Sequence, residues 1–297
     1  MTHAHAMRGG GDVTRLLVVL CLSAVLFVTE LVTGILTNSL ALIADAGHVL
    51  SDVAGIALAL LAIRFAARPA SPRRTFGYHR LEILAAVMNA VVLFGVAGFV
   101  VLEAWRRLGQ SVEILSGPML VVALIGLAVN LFSARLLHAS ARRSLNLRGA
   151  YLEVLADALG SVAVIAAAVV IALTGLGVAD AIASAFIGVL IVPRTWSLLR
   201  EATDVLLEAT PKGTDMEHVR QHILDAPGVR DVHDLHAWTI TSGMNVLSAH
   251  VVLERGAPPG PALESLSACL ADHFDIEHST FQLETDDRRH TESSGHA

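Results

Sequence analysis

The chain has 297 residues, of which 54% are hydrophobic and only 16% are charged, and its mean hydropathy is +0.62. This composition is too apolar for a soluble domain of this size and indicates a membrane protein, while only two cysteines exclude a secreted disulfide-rich scaffold. The net charge of −6 is uneven, because residues 1–200 hold 15 Arg and 10 acidic residues, whereas residues 201–297 hold 6 basic and 17 acidic residues. An acidic second region argues against nucleic-acid binding.

Six apolar runs are long enough for a helix to cross the ~30 Å hydrocarbon core of a bilayer. They lie at 16–36, 40–66, 81–104, 118–138, 150–174 and 178–199. The first run lacks a small-residue cleavage site and contains Glu30, so we interpret it as a retained helix rather than a signal peptide. We therefore expect a flexible N-terminal tail at 1–13 and a six-helix transmembrane domain at 14–203.

The arginines predict the orientation, because arginines near helix ends stay preferentially on the cytoplasmic side. Eleven of them flank the N-terminal tail, the loop between spans 2 and 3 and the loop between spans 4 and 5, whereas the opposite side has only Arg106 and Arg107. Six crossings place both termini on one side. We therefore expect both termini in the cytoplasm, in a multi-pass protein of the cytoplasmic (inner) membrane.

The region at 204–285 has the pattern of a small α+β domain. Asp215 is a helix-capping residue for a helix through Leu224, and β-rich runs at 229–240 and 245–254 flank a turn at Thr241-Ser242-Gly243. A second helix at 261–274 and a strand near 279–284 complete an α-β-β-α-β order, which is typical of a two-layer ferredoxin-like domain. We expect residues 286–297 to be disordered.

Ionisable side chains inside the spans are the candidate functional residues, since each costs several kcal/mol to insert. Span 2 contains Asp45, His48 and Asp52, and span 5 contains Glu153 and Asp157; these spacings place each set on one helical face. No Lys or Arg lies beside these groups in either span. Such groups take up protons or bind a divalent cation, and imidazole with carboxylate suits Zn²⁺ and its neighbours. The alternative is a set of protonated groups that only hydrogen-bond the helices together.

Five motifs together resemble the cation diffusion facilitator family, and in particular its bacterial cobalt–zinc–cadmium efflux branch. They are Asp45-Ala-Gly-His48-Val-Leu-Ser-Asp52, Phe76-Gly-Tyr-His-Arg-Leu-Glu82, the segment from Arg148 to Ser161, Ala179-Asp180, and Val232-His-Asp-Leu-His-Ala-Trp238. The likeness extends from about residue 14 to 285. It implies a homodimeric secondary transporter, without a bound cofactor, that exports Zn²⁺ or a related divalent cation (Cd²⁺, Co²⁺, Fe²⁺ or Mn²⁺) in exchange for protons.

The resemblance also implies the transport site, which comprises His48, Asp52, Glu153 and Asp157. Glu153 departs from the branch, which usually has histidine there, so the metal preference is left open. Asp45 belongs to the same motif, and we expect it to support the ligands or to contact a neighbouring helix rather than to bind the metal.

The resemblance further suggests a regulatory metal site in the C-terminal domain. Its candidate ligands are His233, His250, His278 and Glu284, with His236 nearby.

Three other functions compete with transport: a membrane-embedded metal-dependent enzyme, a passive channel and a metal sensor. No H-E-x-x-H, G-x-S-x-G or glycine-rich phosphate loop is present in the sequence, which disfavours the enzyme. A site with several ligands favours stoichiometric transport over fast conduction.

Overall fold

The computed structural model describes the backbone at 10–66, 68–141 and 145–285, and the side chains there except those at 10–16, 52, 55–63, 65–66, 139–141 and 145–150. The first part consists of six long helices. They are α1 (Gly10–Thr37), α2 (Leu40–Ala66), α3 (Leu81–Arg107), α4 (Ser116–Ala141), α5 (Leu145–Thr174) and α6 (Val178–Leu206). Each predicted apolar run lies within one of these helices, so the six predicted spans are confirmed as helices. In the described residues, five helices are long and apolar enough to cross a membrane, and α2 contributes an apolar stretch at Leu40–Ser51.

Small side chains fill the centre of the helical part. Buried alanines such as Ala44, Ala97 and Ala167 pack there with larger residues such as Leu42 and Val164. Small residues let helix backbones approach closely, which is how transmembrane helices associate in the absence of a hydrophobic driving force. Many large apolar side chains are exposed on the outside of the helices. That distribution is the one expected of helices surrounded by lipid.

The turn between α1 and α2 is held by Asp180 at the start of α6. Its carboxylate accepts hydrogen bonds from the Ser39 hydroxyl (2.6 Å) and from the backbone N–H groups of Leu40 (2.7 Å) and Ala41 (3.2 Å). These N–H groups belong to the first turn of α2, where no partner exists within the helix. A carboxylate is also favoured there by the helix dipole. Asp180 therefore caps α2 from another helix.

The C-terminal part is a two-layer α+β domain, as predicted. Its elements are α7 (Met216–Leu224), β1 (Val229–Thr241), β2 (Met244–Leu253), α8 (Pro259–Phe274) and β3 (His278–Glu284). The Asp215 side chain caps α7 by accepting from the backbone N–H groups of Glu217 and His218. Gly243, with φ +75°, forms the predicted turn between β1 and β2.

The sheet has the strand order β1-β2-β3, with an antiparallel first pair and a parallel second pair. One face of this sheet packs on the two helices. Leu247, Ala249 and Val251 of β2 share a buried cluster with Ile223 of α7 and Leu270 of α8. Because side chains alternate along a strand, the residues between these three belong to the opposite face.

The chain divides into two compact units. One comprises Met1–Leu60 and Met88–Leu199, and the other comprises Leu61–Val87 and Arg200–Ala297. The segment that joins α2 to α3 thus groups with the C-terminal domain. The Thr241 hydroxyl donates a hydrogen bond to Glu82 at the start of α3, and Arg80 pairs with Glu208 at 2.7 Å. The expected tails at 1–13 and 286–297 lie largely or wholly outside the described residues.

Candidate metal sites

His48 and Asp157 meet between α2 and α5. His48 Nε2 lies 3.1 Å from Asp157 Oδ1, and the two side chains are only 12% and 9% exposed. The sequence predicted that these residues face each other, and the structure brings them together. A carboxylate and an imidazole at this distance, shielded from water, hold either a shared proton or a cation. The Asp52 side chain, one turn further along α2, lies outside the described residues.

Glu153 has a cationic partner that the sequence did not predict. The guanidinium of Arg194 on α6 donates a hydrogen bond to Glu153 Oε1. The sequence has no Lys or Arg beside the charged groups in either span, so spacing within a span could not reveal this partner. A third helix supplies the arginine, which balances the charge that glutamate adds where the branch usually has histidine. Glu153 is therefore paired with a cation in this conformation.

Asp45 lies one turn from His48 on α2, against α5. It is 3% exposed. A Cβ atom built on Gly160 would lie 2.8 Å from Asp45 Oδ1, so the absence of a side chain at 160 makes room for this carboxylate. The arrangement fits a helix-contact role for Asp45, which stays a prediction.

Other polar residues of the spans connect helices. The Asn89 amide donates to the Ser51 hydroxyl at 3.4 Å, and the Asn130 amide donates to the Ser161 hydroxyl at 3.4 Å. Glu30 is 1% exposed, and a Cβ on Gly126 would lie 3.0 Å from its Oε1. Such contacts are the common role of amides and hydroxyls inside membranes.

A second cluster lies on the sheet of the C-terminal domain. His233 and His250 are direct partners in the β1–β2 register, and their ring centroids are 5.2 Å apart. His250 Nδ1 lies 2.9 Å from Glu284 Oε1, and His233 Nε2 lies 3.6 Å from Glu284 Oε2. One ligand atom from each of the three residues lies within 4.8 Å of the others. The structure thus brings together three of the four residues predicted for a regulatory site.

Asp234 adds a carboxylate to this cluster. Its backbone has φ +50°, a left-handed conformation, at an irregularity of the β1–β2 register between His233 and His236. There its Oδ1 lies 3.0 Å from His236 Nε2 and its Oδ2 lies 3.9 Å from His250 Nε2. Asp234 was not among the predicted ligands, because an aspartate in a strand gives no signal of a bulge.

His278 lies elsewhere on the sheet. It begins β3 opposite Val246, whereas His250 pairs with Gln282. Four residues of strand separate the two positions, which is about 13 Å. The His278 ring instead forms a T-shaped contact with the Phe76 ring at a centroid distance of 5.7 Å. In the described residues, His278 is not part of the three-residue cluster.

Comparison with known proteins identifies the family. The model of the cation efflux transmembrane domain matches residues 16–207, and the model of the cation efflux protein cytoplasmic domain matches residues 211–286. The chain belongs to the cation efflux family. This result confirms the resemblance seen in the sequence motifs. Membership in the family makes the chain a multi-pass membrane transporter rather than an enzyme.

Relatives in the cation efflux family are similar over nearly their full lengths. The metal cation efflux system protein CzcD of Cupriavidus metallidurans is 47% identical over 283 residues, which cover 95% of this chain and 89% of CzcD. A cadmium, cobalt and zinc/H(+)-K(+) antiporter of Bacillus velezensis is 37% identical over 295 residues, which cover 98% of this chain and 94% of the antiporter. The metal-bound C-terminal domain of CzcD is 44% identical, covers 24% of this chain and 99% of its own, and has a TM-score of 0.23.

Proposed function

We propose that the chain exports Zn²⁺ from the cytoplasm in exchange for protons, and that Cd²⁺, Co²⁺, Fe²⁺ and Mn²⁺ are further substrates. The observation that carries this proposal is the buried contact of His48 with Asp157 across two helices of a cation efflux domain. The names of the relatives support the choice of metals, because they include a zinc transporter and antiporters for cadmium, cobalt and zinc.

His48, Asp52, Glu153 and Asp157 form the proposed transport site. One imidazole and three carboxylates make a tetrahedral set for Zn²⁺, and carboxylate-rich sites also accept Mn²⁺, Co²⁺ and Fe²⁺. Metal binds only the deprotonated groups, so protons and metal compete for the same atoms. When Glu153 turns to the metal, it leaves Arg194, and the arginine supplies a positive charge that helps to release the cation.

Proton coupling follows from exposing this site alternately to the two sides. A site open to the cytoplasm loses protons and takes up metal, and a site open to the more acidic outer face exchanges the metal for protons. Rocking of helices around a fixed site is the general way in which secondary transporters achieve such access.

The remaining parts of the proposal concern assembly and placement. Residues 211–286 match the family model of the cytoplasmic domain, and the short name of that model, ZT_dimer, refers to dimers. This match supports a homodimer. The arginine distribution supports cytoplasmic termini in the inner membrane of the cell. We place the transmembrane domain at 14–203 and the cytoplasmic domain at 204–285.

The transport site is tested by Asp157→Asn in vesicles that contain the purified protein. The substitution keeps the size of the side chain but removes its charge, so Zn²⁺ uptake should fall to background while the protein still inserts and dimerises. The matched control is Glu103→Gln, which makes the same chemical change at a carboxylate paired with Arg107 at the end of α3. Near-normal uptake in Asp157→Asn would refute the site.

We further propose that His233, His250 and Glu284 bind a regulatory Zn²⁺, with Asp234 as an additional acidic group. Two imidazoles and a carboxylate provide three zinc ligands, and water completes the coordination. The full-length double variant His233→Ala/His250→Ala should retain transport, with the Zn²⁺ concentration of half-maximal rate shifted several-fold. His278→Ala is the matched control, because its imidazole lies on the same sheet outside the cluster. Equal kinetics in the double variant and the control would contradict regulation at this cluster.

A further inference from the structure

The two helices of the C-terminal domain carry a thiol and imidazoles that the functions above do not use. Cys269 and His273 are one helical turn apart on α8, and His222 lies on α7. Cys269 Sγ lies 3.6 Å from His222 Nδ1, and the rings of His222 and His273 are 5.0 Å apart. Ligand atoms of the three residues lie within 4.8 Å of one another. This is the spacing of groups that can share one metal ion.

The hydrogen bonds of the two rings can leave one nitrogen of each ring with a lone pair for a metal ion. His273 Nδ1 lies 3.0 Å from the carbonyl oxygen of Cys269. A carbonyl oxygen only accepts, so Nδ1 carries the proton and His273 Nε2 keeps its lone pair. His222 Nε2 lies 3.1 Å from His218 Nε2, and when His222 is the donor of this bond its Nδ1 lone pair faces Cys269. A partner on the far nitrogen fixes the tautomer and the ring, as in most protein metal sites.

The surrounding charges favour a cation. Burial raises the pKa of the Cys269 thiol, and the nearby carboxylates of Asp272 and Asp225 raise it further. The negative charges of Asp272 and Asp225 disfavour a second negative charge on the sulfur, and the same charges attract a divalent cation. A bound ion forms a bond to sulfur, and the thiol proton leaves to the solvent.

The sheet separates this group from the cluster of His233, His250 and Glu284. His250 lies between Ala249 and Val251, which face α7 and α8, so its side chain belongs to the opposite face. Glu284 follows Leu283, which packs on the helix side. An ion held by His222, Cys269 and His273 on the helices therefore occupies a distinct site.

We propose that His222, Cys269 and His273 form a further metal site, which binds Zn²⁺ or Cd²⁺ through one sulfur and two nitrogen atoms. His218 orients His222, and a solvent molecule completes the tetrahedron at the exposed side of His273. A thiolate ligand makes this site softer than the transport site, so it prefers thiophilic ions over Mn²⁺.

The test uses Co²⁺ as a spectroscopic probe and the full-length protein in detergent. In a Cys21→Ser background Cys269 is the sole thiol, because the chain has two cysteines. A near-ultraviolet thiolate-to-cobalt charge-transfer band then reports this site alone, whatever binds to the histidines and carboxylates elsewhere. We expect the band to saturate at one cobalt per protomer, and Zn²⁺ or Cd²⁺ should abolish it by competition.

Variants decide which residues hold the ion. His222→Ala and His273→Ala should each weaken Co²⁺ binding, measured at this band, by about tenfold or more. His236→Ala is the control, because it removes an imidazole from the sheet, and it should leave the midpoint of the Co²⁺ titration unchanged. The band should vanish in Cys269→Ser, and if that variant fails to fold, the two histidine variants still decide. The proposal is overturned by absence of the band once cobalt binding has saturated. A midpoint that neither histidine variant changes would overturn it as well.

Discussion

Gly160→Ala should damage the transport site without touching a ligand. The new Cβ would lie 2.8 Å from Asp45 Oδ1, and ordinary contact begins at 3.4 Å, so one of the two atoms must move by about 0.6 Å. Asp45 is buried, which limits its escape. Asp45 precedes His48 by three residues on α2, and Asp157 precedes Gly160 by three residues on α5. Separation of the helices at Gly160 therefore moves His48 away from Asp157.

The size of the effect follows from the cost of overpacking. An additional methyl group in a packed interior costs about 1–3 kcal/mol. If this cost falls on the metal-bound conformation, the affinity for Zn²⁺ drops by roughly 5–150-fold. Replacement of glycine by alanine in a helix also gains about 0.5–1 kcal/mol of intrinsic stability. The control must therefore be another helical Gly→Ala substitution, which gains the same intrinsic stability but places no Cβ against a neighbouring side chain.

Gly98→Ala on α3 is that control, because among the described residues a Cβ there meets no side chain or neighbouring segment within 4 Å. The measurement is the initial rate of Zn²⁺ uptake into vesicles as a function of Zn²⁺ concentration, together with the thermal stability of each variant in detergent. Relative to Gly98→Ala, we expect Gly160→Ala to have a higher half-saturating Zn²⁺ concentration or a lower midpoint of unfolding. Identical curves for the two variants would refute the packing argument.

Two further substitutions test other parts of the account. Glu153→His should narrow the preference toward Zn²⁺, because imidazole replaces a hard carboxylate and removes the carboxylate that accepts from Arg194. Unchanged ratios of Zn²⁺ to Cd²⁺, Co²⁺ and Mn²⁺ flux would mean that Glu153 does not set selectivity. Asp180→Ala should lower the free energy of unfolding by roughly 2 kcal/mol or more, because the N–H groups of Leu40 and Ala41 lose their acceptor, whereas Asp180→Asn, which keeps one acceptor oxygen, should lose less. Equal midpoints of unfolding in detergent for wild type and Asp180→Ala would contradict the capping role.

The helices and strands were predictable because their signals are local. An apolar run of about 20 residues gives a span, and the Asp215 cap and the Ser242-Gly243 turn give the ends of α7 and β1. Spacings of three and four residues select one face on each of α2 and α5, and burial of charge demands a partner. The family resemblance is what implied that His48 and Asp157 belong to one site.

The missed contacts depend on packing between distant segments. Arg194 is 41 residues from Glu153, and His222 is 47 residues from Cys269, so no spacing rule joins either pair. Asp234 reaches His250 because of a bulge with a left-handed residue. Aspartate adopts this conformation more often than most residues, but its presence in a strand does not predict where a bulge forms.

The central claim is exchange of Zn²⁺ for protons at the buried site, and the most direct measurement is proton flux in vesicles of the purified protein. Zn²⁺ added on one side should drive protons in the opposite direction, and collapse of the proton gradient at constant voltage should abolish gradient-driven Zn²⁺ uptake. Asp157→Asn should show neither flux. Zn²⁺ uptake that continues unchanged after the proton gradient has been collapsed at constant voltage would contradict antiport.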